Sequence, residues 1–372
     1  MTRTLACALI ALLAACGNSD PAGGGSPDAT PTGGDNPYPG SENNWLWVPV
    51  DGTQCMDGSA TGMAVNTRPG STKLVIYLEG GGACFNSFTC SGVAHDNGFG
   101  ENEMATFVRD AGSAGLFNRE ETDNPLAGYS FVFIPYCSGD IFAGDNDNGF
   151  GGRVQAGYRN MGHYVDELVK AYPSVQRVVL TGSSAGGFGA AYNYDRVQQA
   201  FGDVPVTLID DSGPPLSSKY MTPCLQQHVR EVWNLDATLP ADCADCTQSD
   251  GSGLSNLVTY LGDKYPDRDF GIISSTRDGV IRLFYGWGWP NCSNPMPPMP
   301  EATFAEGIAE MRDKTLASYD NLSMFTIDSG LHVWLLENPL GSTVVSGTTL
   351  TDWMRSVLAN EHPDSVAPPA QN

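Results

Sequence analysis

Basic side chains are scarce in this chain: Lys and Arg number 19 against 42 Asp and Glu, a formal net charge of −23. A surface so poor in cations cannot neutralise phosphates, which excludes nucleic acid as a partner and argues against adsorption to anionic polymers. The acidic balance suits solubility outside a cell. Histidine is scarcer still, with five residues in all: His95, His163, His228, His332 and His362. Any reaction that needs an imidazole base has few places to find one. A bilayer-spanning run is missing at the N-terminus, where the apolar stretch Leu5 to Ala15 is too short to cross as a stable helix.

That short stretch reads as a processing signal. Arg3 supplies the positive start, and Leu13-Ala14-Ala15-Cys16-Gly17 resembles a bacterial lipobox. The expected organisation is a signal peptide over 1–15, a lipidated tether over 16–44 beginning at Cys16, and one serine hydrolase domain over 45–372. Residues 17–44 are dense in Gly, Pro, Ser, Thr, Asp and Asn without apolar periodicity, as a flexible tether requires. The expected location is extracytoplasmic, either lipid-anchored to a bacterial membrane or secreted. With Cys7 and Cys16 set aside, eight of the ten cysteines remain: Cys55, Cys84, Cys90, Cys137, Cys224, Cys243, Cys246 and Cys292. An even number in an exported chain implies up to four disulfides, whose pairing the spacing does not fix.

Short apolar runs alternate with helix-like stretches. Strands are expected at Trp45 to Val50, Lys73 to Leu78, Ser130 to Pro135, Val175 to Thr181, Pro205 to Ile209, Asp269 to Ser274 and Leu322 to Ile327. Helices are expected at Gly157 to Tyr172, Ala185 to Phe201 and Leu350 to Asn360. This alternation predicts an α/β-hydrolase-like fold, a mostly parallel central sheet with helices on both faces. Residues 213–268 and 286–315 read as insertions over the site.

The sharpest motif is Gly182-Ser183-Ser184-Ala185-Gly186, between an apolar run and a helical stretch. A strand, a tight turn of small residues and a helix describe a nucleophile elbow with Ser184 at its apex. A serine hydroxyl needs a base, and His332 alone lies in a loop just after a late strand beyond the elbow. The acid that orients the imidazole is open among Asp278, Asp210, Asp211 and Asp328 on pattern alone. Ala185 offers one N–H to a developing oxyanion, and Gly80-Gly81-Gly82 can offer another. That glycine turn resembles the HGGG-type turn of lipases, with Glu79 in place of the histidine. Cys243-Ala244-Asp245-Cys246 lacks a second ligand pair, so zinc is not expected. Asp145-Asn146-Asp147-Asn148-Gly149 departs from the EF-hand spacing, so calcium is not expected there. No metal and no organic cofactor is implied. Gly286-Trp287-Gly288-Trp289-Pro290 can wall a pocket, stack on sugars or simply pack at the surface.

Together Tyr77-Leu78-Glu79-Gly80-Gly81-Gly82-Ala83-Cys84, Pro135-Tyr136-Cys137-Ser138-Gly139-Asp140 and Gly182-Ser183-Ser184-Ala185-Gly186-Gly187 resemble the pectin acetylesterase (pectinacetylesterase/Notum) family over roughly residues 45–358. Asn193 to Val197 and Asp211-Ser212-Gly213 share the likeness. The resemblance implies a Ser184, Asp278, His332 triad and an oxyanion hole from Gly81, Gly82 and Ala185. It also implies a Cys84–Cys90 disulfide and, more weakly, Cys55–Cys137. The implied activity is a serine carboxylesterase that removes acetyl groups from a polysaccharide. Alternatives are a lipase-like or Notum-like deacylase of longer chains, or a non-catalytic carbohydrate-binding surface protein. Two positions depart from the family: Ala83 stands where a large ring is usual, and Ser183 stands where plant members carry cysteine, a change read as packing.

Overall fold

A computed structural model of the chain describes residues 36–292 and 298–369. The expected signal peptide, Cys16 and the expected tether up to residue 35 lie outside the described residues. Eight strands form one sheet: β1 (Leu46–Gln54), β2 (Ala60–Asn66), β3 (Lys73–Leu78), β4 (Ser130–Ile134), β5 (Arg177–Ser183), β6 (Val206–Asp211), β7 (Phe270–Ser275) and β8 (Leu322–Ile327). The helices are α1 (Ser87–Cys90), α2 (Glu101–Ala111), α3 (Gly157–Ala171), α4 (Ala185–Phe201), α5 (Pro223–Trp233), α6 (Leu257–Lys264), α7 (Ile281–Tyr285), α8 (Glu301–Glu310) and α9 (Leu350–Ala359).

The strand order is β1-β2-β4-β3-β5-β6-β7-β8. β1, β2 and β4 pair antiparallel, and β4 through β8 pair parallel. The parallel strands are buried on both faces because successive side chains point to opposite sides. On β3, Leu74, Ile76 and Leu78 join one apolar cluster, with α3, α4 and α6. Val75 and Tyr77 join the other, with α2 and α9. β2 has few large apolar residues and does not announce itself in the sequence; pairing with both neighbours makes it a strand. The edge of β8 is covered by the C-terminal segment, where Thr326 donates to Val366 O and Val366 donates to Met324 O, each at 2.8 Å.

Residues 36–44 fall within the expected tether. They pack on the domain: Tyr38 is buried against the Tyr172 ring, and Asn43 N donates to Thr67 O at 2.8 Å. Two aromatic rings and a short backbone ladder outweigh the local Pro/Gly/Asn composition. The stretches read as insertions carry α5, α6, α7 and α8 within them or beside them.

Chain order reverses at β3: β4 lies on one side of it and β5 on the other. Ligands of open α/β sheets bind beyond the strand C-termini at such a switch point. The glycine turn after β3 and the elbow after β5 meet there.

Four disulfides are present: Cys55–Cys137, Cys84–Cys90, Cys224–Cys292 and Cys243–Cys246. The first ties the β1–β2 connection to the end of β4 across a sequence separation of 82. Loop-closure entropy for that separation corresponds to about 4–5 kcal/mol. Replacing both residues with alanine is expected to lower unfolding free energy by roughly that amount in urea titrations; an unchanged midpoint would show that the crosslink does not constrain the unfolded chain.

Candidate active site

The elbow is built by close backbone approach. Ser184 sits at φ 60° and ψ −121°, a conformation costly for a residue with a side chain. A Cβ on Gly182 would collide with Gly186 O, and one on Gly186 with Leu78 O. A Cβ on Gly80 would fall 2.9 Å from Ser184 Cβ. The glycines therefore let the β3 turn lie directly against the elbow. α4 starts at Ala185, so its first-turn N–H groups and positive dipole end lie beside Ser184.

His332 Nδ1 lies 2.7 Å from Asp278 Oδ2, and Asp278 is fully buried. The other oxygen, Oδ1, accepts from Val280 N at 2.8 Å and Ile281 N at 2.9 Å, so the carboxylate is fixed at the start of α7. This pairing puts the ring proton on Nδ1 and leaves Nε2 as the basic nitrogen. Among the described residues, Ser184 Oγ and His332 share no hydrogen bond; such contacts often close only in the substrate complex.

The three rival acids have other work. Asp328 pairs with Arg277 at 3.2 Å near the surface. Asp210 Oδ1 accepts from Gly213 N at 2.8 Å, and burial, then the Asp211 charge, pushes its carboxyl well above the usual range. Asp211 is buried at the end of β6. Its Oδ2 accepts from Ser183 Oγ at 2.8 Å and from Trp334 N and Leu335 N at 2.9 Å. Its Oδ1 accepts from Ser212 Oγ at 3.0 Å, and its main-chain oxygen accepts from Ser184 N at 2.7 Å. Burial raises its carboxyl pKa, and these hydrogen bonds oppose the rise. Ser183 is thus hydrogen-bonded to a carboxylate, a stronger role than the packing change expected from its departure from plant members.

Gly82 and Ala185 border the same cavity as Ser184. Gly81 lies behind them against the Tyr136 ring, and its carbonyl accepts from Ala94 N at 3.0 Å. Glu79 braces this turn. Its carboxylate accepts from Tyr136 N at 3.0 Å and lies 3.2 Å from His95 Nε2. Burial works against a charged His95, and the Glu79 hydrogen bond and charge outweigh it, so the imidazole pKa is raised. The remaining histidines have local partners: His228 faces Phe85 O at 2.7 Å, His362 pairs with Asp269 at 2.6 Å, and the His163 ring packs against Gly52.

Sequence reasoning missed the cavity itself. It measures about 120 Å³ and adjoins Ser184. Its walls are almost wholly apolar: Phe85 after the glycine turn, Leu225, Val229 and Trp233 on α5, and Leu257 and Val258 on α6. The amphipathic spacing of α5 was the available signal, but its partner surface comes from three distant segments. α5 also fastens the glycine-turn segment, since Trp233 Nε1 donates to Cys84 O at 2.9 Å. Trp287 stacks on His228 at 4.7 Å and meets Phe85 edge-on, so the Trp-rich loop backs the cavity wall. Arg159 pairs with Asp145 and Asp147, which occupies the acidic loop. Among the described residues no cluster of three His, Cys, Asp or Glu side chains could hold a metal, and no helix is long and apolar enough to cross a membrane.

The sequence model described as pectinacetylesterase matches residues 47–256. Palmitoleoyl-protein carboxylesterase notum2 of Xenopus laevis is 31% identical over 45% of this chain and 35% of its own length. The palmitoleoyl-protein carboxylesterase NOTUM of Schmidtea mediterranea is 36% identical over 39% of this chain and 28% of its own length. The chain thus spans about a third of the length of the curated relatives it matches. The Wnt deacylase Notum from Drosophila superposes with a TM-score of 0.61 at 18% identity, over 87% of this chain and 95% of that one. That likeness establishes the α/β-hydrolase-like fold.

The brace at His95 gives stability a pH dependence. Its contribution is complete below about pH 6.5, the unfolded imidazole value. It is lost as pH rises through the raised folded value, because the folded state holds the proton longer. Urea midpoints are expected to fall more steeply between about pH 6 and pH 9 in wild type than in His95→Phe; parallel curves would refute the pairing.

Proposed function

The chain belongs to the pectinacetylesterase family, and on that premise we propose that it is an exported serine carboxylic-ester hydrolase that accepts an acyl chain longer than acetyl. The apolar cavity at Ser184 carries this reading. An acetyl group would use little of it, so the acetyl-polysaccharide substrate implied by the family resemblance is the weaker fit. Lipase-like or Notum-like deacylation of an apolar chain is the stronger one. The relatives' names, palmitoleoyl-protein carboxylesterase and Wnt deacylase, agree with that chemistry.

In this reading Ser184 Oγ attacks the ester carbonyl while His332 Nε2 takes its proton, and Asp278 stabilises the resulting imidazolium. The N–H groups of Ala185 and the Gly81-Gly82 turn receive the oxyanion. Collapse transfers the proton from His332 to the departing alcohol and leaves an acyl-enzyme. Water, deprotonated by His332, then releases the acid and restores Ser184. No metal or organic cofactor takes part.

Each methylene that enters the cavity contributes about 0.8 kcal/mol, roughly fourfold in kcat/KM. Nitrophenyl esters from acetyl upward are therefore expected to improve with length until the cavity is filled. Val229→Trp, which fills that space, is expected to depress the octanoyl ester at least about tenfold more than the acetyl ester. Ser184→Ala should abolish both turnover and fluorophosphonate labelling. An optimum at acetyl would overturn the acyl-chain reading, and activity in Ser184→Ala would overturn the mechanism.

Export and lipid attachment at Cys16 belong to the same proposal. The lipobox-like sequence supports them, and the four disulfides suit an oxidising compartment. Metabolic labelling with a fatty-acid analogue is expected for the wild type and not for Cys16→Ala; equal labelling of both would overturn the anchor.

A further inference from the structure

Among the non-glycine residues with positive φ, Ile141 at 52° and Phe142 at 58° belong to the loop after β4, and three sit at the elbow, at the end of β6 and in the His332 loop: Ser184 at 60°, Ser212 at 64° and Val333 at 67°. Val333 is β-branched, for which this conformation is a true outlier. Strain of this kind persists only where surrounding bonds over-determine the backbone. Each of the three is tied to Asp211. Ser184 N donates to its main-chain oxygen, and Ser212 follows it in sequence and donates Oγ to its carboxylate. Val333 N donates to Ser212 Oγ at 3.2 Å, and the next two main-chain N–H groups donate to Asp211 Oδ2. Ser184 opens α4, and Val333 follows His332 directly.

We propose that Asp211 is a positioning residue of the reaction, a buried carboxylate that fixes the nucleophile elbow and the His332 loop to one point and adds a second negative charge at the base of that loop. The proposal rests on the serine-hydrolase reading. Asp211 touches neither substrate nor reacting atoms; it acts through Ser184 and His332. Its carboxylate receives only donors: two main-chain N–H groups and the hydroxyls of Ser183 and Ser212. That arrangement calls for the ionised form. A neutral amide can keep the acceptor at Oδ2 but removes the charge and turns its NH2 toward Ser212 Oγ.

The charged and titratable groups around the two loops are known by position. Asp278 faces His332 Nδ1 from the loop after β7. Asp210 is the neighbour of Asp211 on β6, Tyr77 faces it from β3, and the Arg277–Asp328 pair links the two outer loops. With Asp278 retained, loss of the Asp211 charge disfavours the imidazolium and relaxes the geometry together.

The experiment compares wild type and Asp211→Asn on a nitrophenyl ester across pH, with fluorophosphonate labelling of Ser184 in parallel. Asp211→Asn is expected to lower kcat by about 10- to 100-fold with little change in KM, and to slow labelling in step. The acidic limb of its kcat/KM profile is expected to move to lower pH. Normal kcat, KM and pH profile in a folded Asp211→Asn, with wild type labelled at Ser184, would overturn the proposal and leave the hydrolase reading standing. Wild type that is neither active nor labelled would overturn both. If Asp211→Asn does not fold, Ser183→Ala and Ser212→Ala each remove one donor and keep the carboxylate; severalfold losses of kcat at constant KM support the proposal, and unchanged kcat in both overturns it.

Discussion

The molecule turns on one place where backbone meets backbone without room for a side chain. The end of β3, the elbow after β5 and the start of α4 are packed so closely that a methyl group on Gly182 or Gly186 would strike a main-chain oxygen. The contact exists because the strand order reverses at β3, which sets its C-terminal turn against that of β5. From this one contact follow the raised apex of Ser184, the placing of Gly82 and Ala185 beside it, and the position of a helix N-terminus next to Ser184.

The outer loops are held to that centre by polar groups. Asp278 fixes His332 from the loop after β7, Glu79 ties the glycine turn to the segment after β4, and Asp211 joins the elbow to the chain after His332. All three are acids at the carboxyl edge of the sheet, in a chain whose net charge gives no hint of where they sit. Their separate roles come from which N–H groups surround them.

The cavity gives the site an apolar wall. Ala83 takes little room beside the glycine turn, and the aromatic groups of the cavity wall include Phe85, Trp233 and, one layer out, Trp287. A small residue at Ala83 leaves space that a large ring would fill, so the departure from the family pattern and the apolar cavity describe one feature. The Cys224–Cys292 disulfide joins α5, a wall of that cavity, to the loop that carries Trp287.

The strands at 73–78 and 322–327 and the helix at 185–201 were legible in sequence, because each is a strongly patterned segment with clear stops. The elbow was legible for the same local reason, since glycine spacing around Ser184 reports a backbone constraint that any such turn imposes. The scarcity of histidine narrowed the candidate base to His332. Pattern alone could not choose among Asp210, Asp211, Asp278 and Asp328, because each follows a strand and a carboxylate's role depends on the donors that reach it. Those donors come from residues 183, 280 and 334, far apart in the chain. The cavity was invisible for a related reason: its walls come from α5, α6 and the turn after β3, and only folding brings them together. Local backbone chemistry wrote the elbow into the sequence. The partners of Asp211 and the space beside Ser184 exist only once distant segments share one edge of the sheet.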